Sequence, residues 1–197
     1  MSGKKRVAVL ISGRGSNMTA LIEAAKAPAY PAEIVGVFSN RAAAPGLETA
    51  RANGIETANL AQSSFESRLD FENALTGILE GWAVDYICLA GFMRILTPEF
   101  TTRWQGKAIN IHPSLLPAYK GLDTHARAIS DGAIEAGCTV HFVTPGLDEG
   151  PAILQARVPI APGDTPETLA ARVLVEEHKL YPKALALLAS GAVAYSD

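Results

Sequence analysis

Two residues in the middle of the chain have the types and the spacing to work on an acyl carbon. Asn110 and His112 lie in the run Ala-Ile-Asn-Ile-His-Pro, residues 108–113. Residues two apart in an extended strand point to the same side. Pro113 pushes the residue before it out of helical geometry, so an amide and an imidazole share one face at a strand end. An amide N–H can donate to a developing oxyanion, and an imidazole can move a proton. The same pair could equally cap the strand and satisfy loop backbone.

Three other segments and two single residues carry candidate chemistry. In Ser12-Gly-Arg-Gly-Ser-Asn17 the glycines let backbone amides approach a ligand, and the helix that follows favours an anion at its start. Gly15, Ser16 and Asn17 are the candidate phosphate contacts. The run has neither the third glycine of a dinucleotide fingerprint nor the Gly-Lys-Ser/Thr of a P-loop, and a plain strand-to-helix turn would look the same. Gly91-Phe-Met-Arg-Ile-Leu96 follows an apolar strand and would suit a flat heteroaromatic ring, or is a turn with core residues. Gly146-Leu-Asp-Glu-Gly-Pro151 holds Asp148 in a glycine-bounded loop, where a carboxylate aimed at His112 would favour the imidazolium; a solvated turn aspartate is the alternative. His141, in an apolar strand, reads as a hydrogen-bonded supporting residue. Glu177 falls on the apolar stripe Leu169, Val173, Leu180, Ala184 of the last helix, where a carboxylate needs a partner. Asn110, His112, His141 and Asp148 could be read as a metal set, but no His-x-x-x-His or Cys-x-x-Cys spacing accompanies them, and no metal is expected.

These segments need a scaffold that gathers strand ends. Apolar runs at 6–12, 34–38, 55–60, 84–90 and 107–111 read as strands, the first and fourth continuous enough to be buried on both faces. Helices are expected between them: one capped by Ser16, one over 45–53, one opened by the capping box Ser63-Ser-Phe-Glu66 and running to about Leu79, and short ones from Thr97-Pro98 and over 124–131. Strands at 139–143 and 153–158 are close enough to pair antiparallel, and a helix from Thr165-Pro166 to about Ala189 closes the chain. The alternation predicts a single doubly wound, Rossmann-like α/β sheet, mostly parallel, flanked by helices, with antiparallel edge strands in the C-terminal half. Ligands in such sheets bind at the carboxyl ends of the strands, where three of the candidate loops must converge.

The bulk numbers fit one domain over 1–197. The 197 residues are 48% hydrophobic and 19% charged, with net charge −3. That balance lacks the basic field of non-specific nucleic-acid binding, and no stretch approaches the roughly 20 apolar residues of a membrane span. Cys88 and Cys138 sit far apart in apolar runs, as buried thiols of a reducing cytoplasm would.

His112-Pro-Ser-Leu-Leu-Pro117, Phe92-Met-Arg-Ile-Leu96, Leu147-Asp-Glu-Gly150, and Glu177-His178 with Tyr181-Pro182, taken in order along the chain, resemble the folate-dependent formyltransferases. The Ser12 to Asn17 turn is similar at every fixed position to the Ser-Gly-x-Gly-Ser-Asn of members that act on glycinamide ribonucleotide. Relatives formylating methionyl-tRNA or hydrolysing formyltetrahydrofolate share the His-Pro-Ser-Leu-Leu-Pro block but carry an extra domain, for which this chain has no room. The resemblance implies 10-formyltetrahydrofolate as co-substrate, glycinamide ribonucleotide as acceptor, and a place in purine biosynthesis in the cytoplasm. It implies catalysis by Asn110, His112 and Asp148, with His141 behind them. Gly15, Ser16, Asn17 and Glu177 would hold the ribonucleotide, Glu177 at the ribose hydroxyls. Arg68, Met93, Arg94, Ile95, Leu96 and Asn110 would hold the folate, Arg68 at its tail carboxylates. No nucleic acid, membrane or metal is implied, and a monomer or weak homodimer is expected.

The chain departs from relatives at Asp123, where a histidine is common, at Ala126, where a basic residue is common, and at Glu149, where glycine or alanine occurs. Two rival classes compete with the formyltransferase reading. A nicotinamide-dependent oxidoreductase would need an acidic residue after the second strand, where Ser39-Asn40-Arg41 stands, although Arg41 would admit a phosphorylated cofactor. A non-catalytic nucleotide-binding module would leave Asn110, His112 and Asp148 idle.

Overall fold

A computed structural model describes residues 3–196. Its centre is β1 (Lys5–Ile11), whose last five residues are fully buried. Side chains of a strand alternate between faces, and β1 divides its own accordingly. Val7, Val9 and Ile11 join one apolar layer, with α1 (Ser16–Ala25), α2 (Pro45–Ala52) and α6 (Pro166–Ala189). Ala8 and Leu10 join the other, with α3 (Arg68–Gly81) and α4 (Pro98–Arg103).

Six strands complete the sheet: β2 (Ala32–Ser39), β3 (Glu56–Asn59), β4 (Tyr86–Leu89), β5 (Ala108–His112), β6 (Glu135–Phe142) and β7 (Ala152–Pro159). Their order is β3-β2-β1-β4-β5-β6-β7. The first five strands in this order pair in parallel, and β5-β6 and β6-β7 are antiparallel. The doubly wound sheet with antiparallel C-terminal strands is therefore as expected. Strand order reverses between β1 and β4, and a crevice opens at such a switch point beyond the strand ends. The turns after β1 and β4 flank it.

Two helix starts differ from expectation. Ser16 is the first residue of α1 and does not cap it; Gly15 is the cap, in the left-handed conformation (φ 70°). Glycine takes that conformation without steric cost, and, having no side chain, it leaves the helix start without a side-chain cap. The capping box at Ser63 is also displaced. A single 3-10 turn covers Gln62–Ser64, and Phe65 then runs extended to pack edge-on against Phe71, with centroids 5.7 Å apart. The helix starts one turn later, where Ser67 Oγ accepts the Asp70 N–H (3.1 Å) and donates to its carboxylate (2.6 Å). Thr97 and Thr165 cap α4 and α6 as expected.

Tyr181 on α6 is fully buried, its hydroxyl 3.0 Å from the carbonyls of both Leu89 and Ile109. Its single hydrogen is shared between β4 and β5, and burial holds the phenol protonated far above its ordinary range. The helix is thereby pinned across the two strands that deliver the candidate ring-binding segment and the Asn110–His112 pair. Cys88 and Cys138 are both free and buried, and burial pushes each thiol up to about 12. Among the described residues no helix is long and apolar enough to cross a membrane.

Candidate active site

β5 delivers Asn110 and His112 on one face, and β6 supplies their neighbours. In the antiparallel register Asn110 lies opposite His141 and His112 opposite Thr139. Directly opposed side chains touch, and Asn110 Nδ2 donates to His141 Nε2 at 3.2 Å. The His141 Nδ1–H donates to the Phe142 carbonyl at 2.8 Å. A carbonyl can only accept, so the hydrogen sits on Nδ1 and the lone pair on Nε2 takes the Asn110 N–H. Burial pushes the His141 imidazole below its ordinary range, in keeping with a neutral ring.

His112 is held between two acceptors. Its Nε2 lies 2.9 Å from the Tyr119 carbonyl and its Nδ1 lies 3.3 Å from Asp148 Oδ2. Only the doubly protonated ring can donate to both. Asp148 is almost fully buried on its side chain (8% exposed) and lies between both histidines, with Oδ1 at 3.7 Å from His141 Nε2. Its Oδ2 also accepts the Gly121 N–H at 2.9 Å. Asp148 has φ 52°, a conformation that costs aspartate less than most residues. The loop can fold in this closely because Gly150 has no side chain; a Cβ there would lie 1.8 Å from the Phe142 carbonyl oxygen.

The segment after β5 is sewn to the sheet. Thr139 Oγ1 donates to the Ser114 carbonyl (2.7 Å) and accepts from Leu116 N–H (3.1 Å) and the Gln155 amide (2.9 Å). Ser114 Oγ donates to the Ala118 carbonyl (2.6 Å), and the Leu116–Pro117 bond is cis. These bonds fix the Tyr119 carbonyl that His112 faces. A cavity of about 280 Å³ lies on the far side of this segment, lined by Ser114, Tyr119, His125, Gln155 and Arg157 among others.

At the switch point a second cavity, of about 350 Å³, is lined by Gly15, Ser16, Asn17, Arg14, Arg41 and Met93, among others. Ser12 ties its walls together. Its hydroxyl donates to Asn40 Oδ1 (2.6 Å) and accepts the Met93 N–H (2.8 Å), while its own N–H donates to the Gly91 carbonyl (3.1 Å). Asn17 Nδ2 donates to Glu177 Oε2 at 2.6 Å, so the buried carboxylate on α6 finds its partner in the first turn of α1. Burial raises the Glu177 carboxyl above its ordinary range, opposed by the Asn17 bond. Asn17 is 8% exposed, and its Oδ1 has no hydrogen-bond partner among the described residues.

The remaining candidates surround the crevice loosely. Met93 and Ile95 are 64% and 63% exposed, Arg94 is exposed, and Leu96 is turned into the core. Arg68 opens α3 and is exposed, and among the described residues no bond ties its guanidinium to the crevice. The structure thus brings Asn110, His112, His141 and Asp148 together, joins Asn17 to Glu177, and leaves Arg68 apart. Sequence reasoning quoted Ser12 in the Ser12–Asn17 motif without giving it a role of its own, and missed Thr139 and Gln155. Ser12 left a faint signal, as the polar end of an otherwise apolar strand. Among the described residues no group of three or more His, Cys, Asp or Glu side chains could hold a metal ion.

The chain belongs to the formyl transferase family, whose model matches residues 5–185. Within it, the chain is 48% identical over 185 residues to phosphoribosylglycinamide formyltransferase of Escherichia coli K12, covering 94% of this chain and 87% of that one. The crystal structure of phosphoribosylglycinamide formyltransferase from Brucella melitensis matches with a TM-score of 0.92 and 52% identity, over 98% of this chain and 100% of that one. The bovine trifunctional purine biosynthetic protein adenosine-3 is 50% identical over 190 residues. That match takes in 96% of this chain, which spans only 19% of the bovine protein's length.

Proposed function

We propose that this chain transfers the formyl group of 10-formyltetrahydrofolate to the primary amine of glycinamide ribonucleotide. The products are formylglycinamide ribonucleotide and tetrahydrofolate, a step of purine biosynthesis. The observation that carries this reading is the placement of Asp148 against His112, with Asn110 beside it on the same strand face, close to a crevice whose other wall is an anion-binding turn.

The amine nitrogen attacks the formyl carbon and forms the new C–N bond. Negative charge develops on the formyl oxygen; the second Asn110 N–H is a donor for it, and the His112 Nε2–H becomes one by leaving the Tyr119 carbonyl. Asn110 spends one amide hydrogen on His141, which fixes its rotamer and leaves the second for the oxyanion. Asp148 faces His112 Nδ1 and orients the ring. The tetrahedral adduct collapses with cleavage of the bond to the folate N10, which takes the proton lost by the amine. No side-chain nucleophile takes part.

Gly15 and Ser16 offer backbone N–H groups to the phosphate at the start of α1. Asn17 and Glu177 take the ribose hydroxyls, Asn17 Oδ1 being an acceptor in search of a donor. Met93, Arg94, Ile95 and Leu96 form the folate wall with Asn110, and Arg68 is assigned to its tail carboxylates. The chain works as one formyltransferase domain in the cytoplasm, as a monomer or weak homodimer, with no nucleic-acid or membrane partner. The test is release of deformylated folate, followed spectrophotometrically with and without glycinamide ribonucleotide. Ribonucleotide-dependent release is expected, and His112→Ala should lower it by about 100–10,000-fold, the usual contribution of a positioned acid–base group. Release that ignores the ribonucleotide would point to hydrolysis instead.

A further inference from the structure

We propose that Arg14 and Arg41 form a guanidinium pair that binds the substrate's phosphate, completing a site that the backbone turn only begins. The inference rests on the reading above, which places a phosphate at Gly15 and Ser16.

Both arginines line the 350 Å³ cavity at the switch point. Both are exposed, and neither guanidinium has a hydrogen bond or an ion pair among the described residues. Among the described residues no carboxylate lines this cavity, so no described residue on its wall competes for the two charges. Arg14 stands between the two glycines of the turn, at the one position where the motif accepts any residue. Arg41 comes from the end of β2, and packing brings it to the same rim. Gly46 in the first turn of α2 donates its N–H to the Gly13 carbonyl (3.1 Å), and a Cβ at Gly46 would lie 3.0 Å from the carbonyl oxygens of Gly13 and Arg14. Such close contact presses the segment that follows β2 against the turn that follows β1.

Two cations beside a helix start are an unfavourable grouping unless an anion joins them. The start of α1 already carries partial positive charge, and the arginines add to it. A phosphomonoester, with roughly −1.5 to −2 charge near pH 7, matches the grouping, and the planar fork of arginine suits phosphate oxygens. Asn17 points independently to a ligand here, because it lines the same cavity and its buried Oδ1 has no partner among the described residues. Phosphate held by the arginines and a sugar hydroxyl donated to Asn17 would belong to one molecule, a sugar phosphate.

The test uses R14A, R41A and the double variant in the full chain. For the double variant the KM for glycinamide ribonucleotide should rise roughly 10–100-fold, as loss of charge-assisted bonds to phosphate would give. Its dependence on salt should flatten, and the KM for formylfolate should stay within about twofold. R41K, which keeps the charge but not the fork, should fall between wild type and R41A. Titration calorimetry with ribose 5-phosphate reads the same site without catalysis, and the double variant should lose at least about tenfold in affinity. Unchanged ribonucleotide KM and unchanged ribose 5-phosphate affinity would overturn the assignment, as would a wild type that binds no ribose 5-phosphate. A wild type that binds ribose 5-phosphate through the arginines but formylates no ribonucleotide would overturn the functional reading and leave the arginines in place.

Discussion

Glu177 concentrates the tension of this site in one side chain. It is buried on the apolar stripe of α6, and a single amide from Asn17 supports it. Burial raises its carboxyl pKa, so ionised Glu177 costs folding free energy at any pH above that raised value, and the cost vanishes once pH falls below the unfolded value. Glu177→Gln removes the charge and keeps a carbonyl oxygen for Asn17. The expected result is a melting temperature at pH 8 equal to or above wild type, with a ribonucleotide KM raised about tenfold if the carboxylate binds ribose hydroxyls. A lower melting temperature with an unchanged KM would make Glu177 purely structural. The sequence exposed this residue because a carboxylate stood where the 3.6-residue period called for an apolar side chain. The same pattern was silent on its partner, since Asn17 lies 160 positions away in the chain and only the packing of α1 against α6 brings them together. Asp148 was legible for the opposite reason: glycines on both sides of a lone aspartate mark a loop that bends toward something.

Elements position these residues, and α6 is the one whose anchoring can be tested cleanly. Its start is fastened by Asp164, which accepts from the Arg172 Nη1 (2.7 Å), the Ala161 N–H (2.7 Å) and Thr168 Oγ1 (2.9 Å). The Arg172 guanidinium, with the Ala161 N–H, holds the Asp164 carboxyl well below the usual aspartate range. A depressed native pKa stabilises the fold above the unfolded value of about 3.9, and that contribution is lost as pH falls through the native value. Asp164→Ala should therefore melt lower than wild type at pH 7, and the gap should narrow progressively below about pH 4. A gap independent of pH, followed by circular dichroism across that range, would assign the loss to packing and not to the charge. The sequence located α6 and its Thr165-Pro166 start because cap and proline are local signals. It misplaced the start of α3 by one turn, because Ser63 to Glu66 and Ser67 to Asp70 both offer a cap, and the choice was made by Phe65 meeting Phe71 in the folded core.

At the scale of the whole molecule, strand order decides what can meet. Alternating strands and helices told of a doubly wound sheet, and the motifs at its strand ends told of a site. The switch between β1 and β4, which opens the crevice, depends on pairings between distant segments that no local pattern encodes. It also makes neighbours of the turn assigned to the ribonucleotide and the segment assigned to the folate, and Ser12 bonds to both sides of that seam. A hydroxyl at the head of the ribonucleotide turn that accepts the Met93 N–H of the folate wall links the two segments directly. If a guest on the turn alters binding at the Met93 segment through this bond, linkage requires the second guest to act on the first by the same factor. Four dissociation constants, each ligand alone and each in the presence of the other, close the thermodynamic box. In wild type the two substrates should bind interdependently. In Ser12→Ala each should bind alone nearly as before, while the interaction factor moves toward one. An equal factor in both proteins would show the sites to be independent tenants of one crevice; a lost factor would make Ser12 the hinge through which an empty site reports on its neighbour.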